Sequence, residues 1–123
     1  MDRIRALIVD DKKITGELFG YILGREGHDV KIVQDIEDAL NLIRQNEVDI
    51  AFLDIIMPRH DGIEVLKEIK KFAPNFPVVM MSGYTVEEKR EEIRELGAVT
   101  CLDKPIKMEA VREVVKLALG KEI

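Results

Sequence analysis

Apolar residues along the 123-residue chain fall into two alternating patterns. Runs such as Ala6-Leu7-Ile8-Val9 and Val78-Val79-Met80-Met81 are apolar at every position. A strand of that kind buries both faces, which suits a parallel sheet covered by helices on each side. The pattern predicts strands at 4–9, 29–33, 50–53, 77–81 and 98–102. Between them the apolar positions recur at helical spacing and predict helices at about 13–26, 36–46, 62–72, 85–96 and 108–119. The punctuation agrees. Gly27 and Gly97 stand where the first and fourth helices should stop. Asp35 precedes the second as an N-cap, and Thr85-Val86-Glu87-Glu88 reads as a capping box opening the fourth. Ala73-Pro74 closes the third. Strict alternation implies an α/β fold, a five-stranded parallel sheet with right-handed crossovers.

Composition narrows the setting. The length suits one domain, 1–123, with no linker or repeat and only Gly120-Lys121-Glu122-Ile123 beyond the last helix. Lys and Arg number 19 against 24 Asp and Glu, a net charge of −5. That balance argues against nucleic acid or an anionic membrane as the main partner. One cysteine, Cys101, allows neither an internal disulfide nor a cysteine-based zinc site. His28 and His60 have no ligand-like spacing. No apolar run exceeds four residues, and Met1-Asp2-Arg3-Ile4 lacks the apolar stretch of a signal peptide. A cytoplasmic protein is expected.

The chemistry gathers at strand ends. The first strand ends in Asp10-Asp11, the third in Asp54, the fourth in Ser82-Gly83 and the fifth in Asp103-Lys104-Pro105. Open α/β sheets bind ligands beyond the carboxyl ends of strands, where strand order reverses. In the order 2-1-3-4-5 that point lies between strands one and three, which carry the acids. Three carboxylates in one cleft repel one another, and a hard divalent cation removes the conflict. Formal charges then balance: three acids, one Mg2+ and Lys104. Asp54 becomes a plausible nucleophile towards phosphorus. Ser82 can donate to a phosphoryl oxygen, and Gly83 lets backbone approach closely. Each motif alone has a plainer reading. Asp10-Asp11 could cap the first helix, Lys104-Pro105 could be a turn, and Cys101 a small buried hydrophobe.

The ordered set Leu7-Ile8-Val9-Asp10-Asp11, Leu53-Asp54-Ile55-Ile56-Met57-Pro58, Asp61-Gly62, Met80-Met81-Ser82-Gly83, Gly97-Ala98 and Lys104-Pro105 resembles the receiver domain of bacterial two-component response regulators. It looks most like the single-domain regulators of chemotaxis and phosphorelays. The resemblance implies a flavodoxin-like, doubly wound (βα)5 fold and a regulatory phosphoacceptor rather than a turnover enzyme. It makes Asp54 the phosphoacceptor. It assigns Mg2+ to Asp11, Asp54 and the Ile56 backbone carbonyl, with Asp10 close by or acting through water. Ser82 and Lys104 would bind phosphoryl oxygens, and Lys104–Pro105 would be cis. The phosphoryl donor would be a histidine kinase or a histidine phosphotransfer protein. Sequence does not name the output partner.

Two departures stand out. The family usually places Tyr or Phe three residues before the strand-five lysine, where its ring swings inward as the Ser or Thr moves. Here that switch position is Cys101, and Tyr84 lies two residues after Ser82. At the positions that govern attack of water on the acyl phosphate stand Ile56 and Tyr84, bulky and without acid or amide. Slow self-dephosphorylation is expected.

Two helices invite functional readings. Glu87–Glu95 carries eight charged residues among nine; the plainer reading is a solvated helix face with i, i+4 pairs, and the functional one is a helix held by few apolar contacts that shifts on phosphorylation. Gly16, Gly20 and Gly24 form a stripe, either packed on a neighbouring element or open to a partner helix. The competing readings are a receiver excised from a longer DNA-binding regulator, an aspartyl-nucleophile phosphatase, and a flavodoxin-like cofactor binder. The phosphatase pattern needs Asp-x-Asp after the first strand, whereas the pair here is adjacent. A bound cofactor phosphate would be repelled by Asp10-Asp11.

Overall fold

A computed structural model describes residues 3–57, 59–83 and 87–118. Its elements run β1 (Arg5–Val9), α1 (Lys13–Arg25), β2 (Asp29–Val33), α2 (Ile36–Arg44), β3 (Ile50–Asp54), β4 (Ile56–Met57), β5 (His60–Asp61), α3 (Gly62–Phe72), β6 (Val78–Ser82), α4 (Glu87–Glu95), β7 (Thr100–Asp103) and α5 (Met108–Ala118). Among the described residues, five strands form one parallel sheet in the order β2-β1-β3-β6-β7. This is the anticipated 2-1-3-4-5, because β6 and β7 are the fourth and fifth strands of the sheet. No described helix is long and apolar enough to cross a membrane.

Alternation along each strand divides the core in two. Leu7, Val9, Ala51 and Leu53 point to one face, where α2, α3 and α4 supply Leu40, Ile43, Leu66, Ile69 and Ile93. Ala6, Ile8, Ile50 and Phe52 point to the other, against Phe19 and Leu23 of α1 and Val111 and Val114 of α5. There the Phe19 and Phe52 rings meet edge to face, 4.9 Å between centroids. Every residue of β3 and β6 is buried, as their unbroken apolar runs require.

Local signals set the ends. Gly27 and Gly97 adopt φ of +90° and +98°, the left-handed position that ends a helix and favours glycine. Asp35 caps α2 by accepting from the Glu37 N–H, 3.0 Å. The proposed capping box begins at Thr85 and Val86, outside the described residues. Asp10 and Asp11 do not cap α1, whose N-cap is Lys12 without a side-chain cap. The glycine stripe resolves into packing. A Cβ at Gly16 or Gly20 would lie 3.0 or 2.9 Å from Ile32, whereas one at Gly24 would meet nothing within 4 Å. Two of the three therefore let α1 lie close on β2.

The pair β4–β5, antiparallel, was not anticipated. Pro58 between them lies outside the described residues, as do Tyr84 and the tail from Leu119.

At the opposite end of the sheet, buried His28 accepts from the Ile4 N–H through Nδ1, 3.2 Å. Burial pushes its pKa down, partly offset by the nearby Glu26 charge. The unfolded chain takes up this proton as pH falls through about 6.5, and the folded chain only at lower pH. His28 thus contributes stability in full above about pH 6.5 and loses it as pH falls below. In urea unfolding at pH 7.5 and 5.5, His28→Asn, whose amide oxygen can still accept, should show a smaller loss on acidification than the wild type. An equal loss would remove His28 as a cause.

Candidate functional site

The parallel register brings the reactive residues to one edge. Val9 pairs with Val33 on one side and Leu53 on the other, so Asp10 and Asp54 emerge at the same level between β1 and β3. Ser82 ends β6 in register with Asp103 of β7. Lys104 follows at once, its N–H donating to the Ser82 carbonyl at 2.7 Å. The Lys104–Pro105 bond is cis.

Asp10 and Asp54 are 1% and 5% exposed. The Lys104 ammonium donates to Asp10 Oδ2 at 3.0 Å and to Asp54 Oδ2 at 2.9 Å. The other oxygens are held by backbone: Asp10 Oδ1 accepts from Lys12 N–H, 2.9 Å, and Asp54 Oδ1 from Ile56 N–H, 3.1 Å. Asp11 differs. Its Oδ1 is shielded from solvent and meets no hydrogen-bond donor among the described residues. One oxygen from each of Asp10, Asp11 and Asp54 lies within 4.8 Å of the others. A buried carboxylate oxygen without a donor costs free energy unless something positive fills the gap. The donor set is oxygen only and rich in charge, which fits a hard cation such as Mg2+.

Electrostatics follow from burial and pairing. Burial pushes the Asp54 carboxyl above its ordinary value, and the Lys104 bonds and charge only partly oppose it. For Lys104, burial acts downward, but its bonds to Asp54 and Asp10 and their charges outweigh it and raise the ammonium. The lysine stays charged.

Of the residues singled out from sequence, Asp10, Asp11, Asp54 and Lys104 are brought together. Ser82 is buried at the neighbouring strand end, and a Cβ at Gly83 would meet nothing within 4 Å, so space there is open. Ile56 is 71% exposed beside Asp54, which it contacts through its N–H. Cys101 is buried within the core under α4. Tyr84 lies outside the described residues.

Three more residues support the site through contacts set by the fold. Gln34, just past the end of β2, donates from Nε2 to the Asp11 backbone carbonyl, 3.0 Å. Asp61 caps α3, accepting from Ile63 N–H at 2.9 Å, a role its place before Gly62 and an apolar run could have signalled. Gly62 sits against the end of β3: its N–H donates to the Ile55 carbonyl, and a Cβ there would fall 2.5 Å from the Asp54 carbonyl oxygen.

Known proteins are similar to this chain in sequence and fold. The response regulator receiver domain family matches residues 6–116. The sensor histidine kinase RcsC of Escherichia coli K12 is 30% identical over 116 residues, 94% of this chain, which spans 12% of that kinase. The receiver domain of the Francisella response regulator 1452 superposes with a TM-score of 0.85 at 30% identity, covering 95% of this chain and 98% of that one. CheY of Borrelia burgdorferi, in its complex with CheX, BeF3 and Mg2+, gives a TM-score of 0.86 at 31% identity over 94% of this chain and 89% of that one. With its parallel sheet, strand-end acids and a family match over residues 6–116, the chain belongs to the response regulator receiver domains, the phosphoacceptor modules of two-component signalling.

Proposed function

We propose that Asp54 is the phosphoacceptor of a regulatory module, cytoplasmic and formed by 1–123 as one domain. The observation that carries this reading is the carboxylate trio with Lys104 bonded to both Asp10 and Asp54 and an unpartnered oxygen on Asp11. An Asp54 oxygen attacks the phosphorus of a phosphohistidine on a histidine kinase or phosphotransfer protein. The P–N bond breaks, its electron pair leaves on the imidazole, which takes a proton from solvent, and an acyl phosphate forms on Asp54.

Asp11 and Asp54, the Ile56 carbonyl and the nearby Asp10 would hold Mg2+, which when bound supplies positive charge against the phosphoryl oxygens. Lys104 and Ser82 bind those oxygens, and the open space at Gly83 admits the group. The acyl phosphate is the signal, read by an output partner at the surface; neither nucleic acid nor membrane is a direct partner. Ile56 offers incoming water no acid or amide, so the modification persists. A structural relative, Borrelia CheY, was captured with CheX, BeF3 and Mg2+.

Intact mass after incubation with a small acyl phosphate tests this. The folded protein should gain one phosphoryl group with Mg2+ and far less without it. The adduct should persist for minutes or longer, and a half-life of seconds would contradict the role given to Ile56. No adduct on folded protein with Mg2+ present overturns the reading.

A further inference from the structure

We propose that Arg90 is a positioning residue that couples α4 to the carboxylate site through the end of β7. The proposal rests on the phosphoacceptor reading and adds a residue to it. α4 presents eight charged residues among nine, and Ile93 is its buried residue. Apolar burial therefore does little to fix the helix. Arg90 does more: one guanidinium nitrogen donates to the Cys101 carbonyl at 2.8 Å and another to Asp103 Oδ1 at 2.6 Å.

An ordinary exposed ion pair contributes little. This one differs in three respects. The Arg90 side chain is largely covered, 22% exposed. One of its bonds goes to a part-buried carbonyl of β7, which forms an outer edge of the sheet. The two acceptors stand two residues apart on one strand, and each is met by a different nitrogen of the planar guanidinium fork.

Asp103 is the last residue of β7, and the next is Lys104. Lys104 is fixed by its N–H on the Ser82 carbonyl and its ammonium on Asp10 and Asp54. A short covalent path thus joins Arg90's anchor to the lysine that faces the reacting carboxylate. Any change in what Lys104 binds is transmitted to Asp103. Loosening Arg90 in turn frees the strand end that places Lys104 for phosphoryl transfer.

The test compares wild type, Arg90→Ala and Arg90→Lys, each shown to be folded by circular dichroism. Adduct formation from a small acyl phosphate with Mg2+ is followed by intact mass, and amide exchange of α4 is measured with and without the adduct. Arg90→Ala should form the adduct about fivefold to tenfold more slowly, within the range of such couplings. Arg90→Lys, keeping one bond, should recover part of the loss. Exchange in α4 should change with the adduct in wild type and stay constant, and faster, in Arg90→Ala. A wild-type rate and a wild-type exchange difference in Arg90→Ala overturn the coupling and leave the phosphoacceptor reading standing. Absence of adduct in wild type instead overturns that reading, and the coupling with it.

Discussion

Asp54→Asn is expected to lower phosphoryl incorporation by about a hundredfold or more while the protein stays folded. An amide oxygen is a far poorer nucleophile than a carboxylate, and the substitution also removes one of the three negative charges grouped for a cation. Stability should survive. The amide oxygen can still accept the Ile56 N–H that Asp54 Oδ1 now accepts. Lys104 keeps its bond to Asp10. The buried charge, whose pKa burial already pushes up, is gone. A melting midpoint near that of wild type, with the adduct lost, assigns the chemistry to Asp54. Comparable incorporation by Asp54→Asn would move it to Asp10 or Asp11.

Gly62→Ala should damage fold and site together. The added Cβ would fall 2.5 Å from the Asp54 carbonyl oxygen, 2.6 Å from Ile55 Cα and 2.8 Å from the Ile55 carbonyl oxygen. All three are backbone, so no side chain can swing away. Relief requires α3 to retreat from β3, against the burial of Ile63, Leu66 and Ile69. Overpacking of this kind costs about 3 kcal/mol, the upper part of the usual range. That corresponds to a fall of about 10 °C in thermal midpoint for a domain of this size. Gly24→Ala is the contrasting case. Its Cβ meets nothing within 4 Å on α1, and alanine there should stabilise by about 0.8–1 kcal/mol. Calorimetry on the two variants reads both effects, and a Gly62→Ala midpoint equal to wild type would show that the crowded approach is relaxed at no cost.

Much of this was legible in the chain because it depends on pattern. The unbroken apolar runs marked the sheet strands, and the strand ends bearing Asp10, Asp11, Asp54 and Lys104 marked where these four side chains gather. Boundaries moved by a residue or two where an acid or hydroxyl continues a strand, as Asp54 does for β3 and Ser82 for β6. The short pair β4–β5 was not legible, since two residues a side leave no periodicity to detect. Arg90 was hidden for another reason. Within a run of charges it looks like any solvated helix residue, and only tertiary folding sets it against β7. Gln34 and Gly62 likewise gain their roles from neighbours distant in sequence or from a backbone approach that composition does not encode.

The parallel sheet gives the molecule two poles with different tolerances. At the pole opposite the acids, Arg5 grips Asp49 through side chain and backbone N–H, Arg3 meets Asp29, and Lys31 lies near Glu47. None of these groups touches Asp10, Asp11, Asp54 or Lys104. An engineer seeking a hardier version has that pole to work on, where ion pairs can be exchanged or the edge of β2 redesigned without entering the reaction. The opposite pole offers less freedom, since Asp10 and Asp54 are buried there and both depend on the Lys104 ammonium.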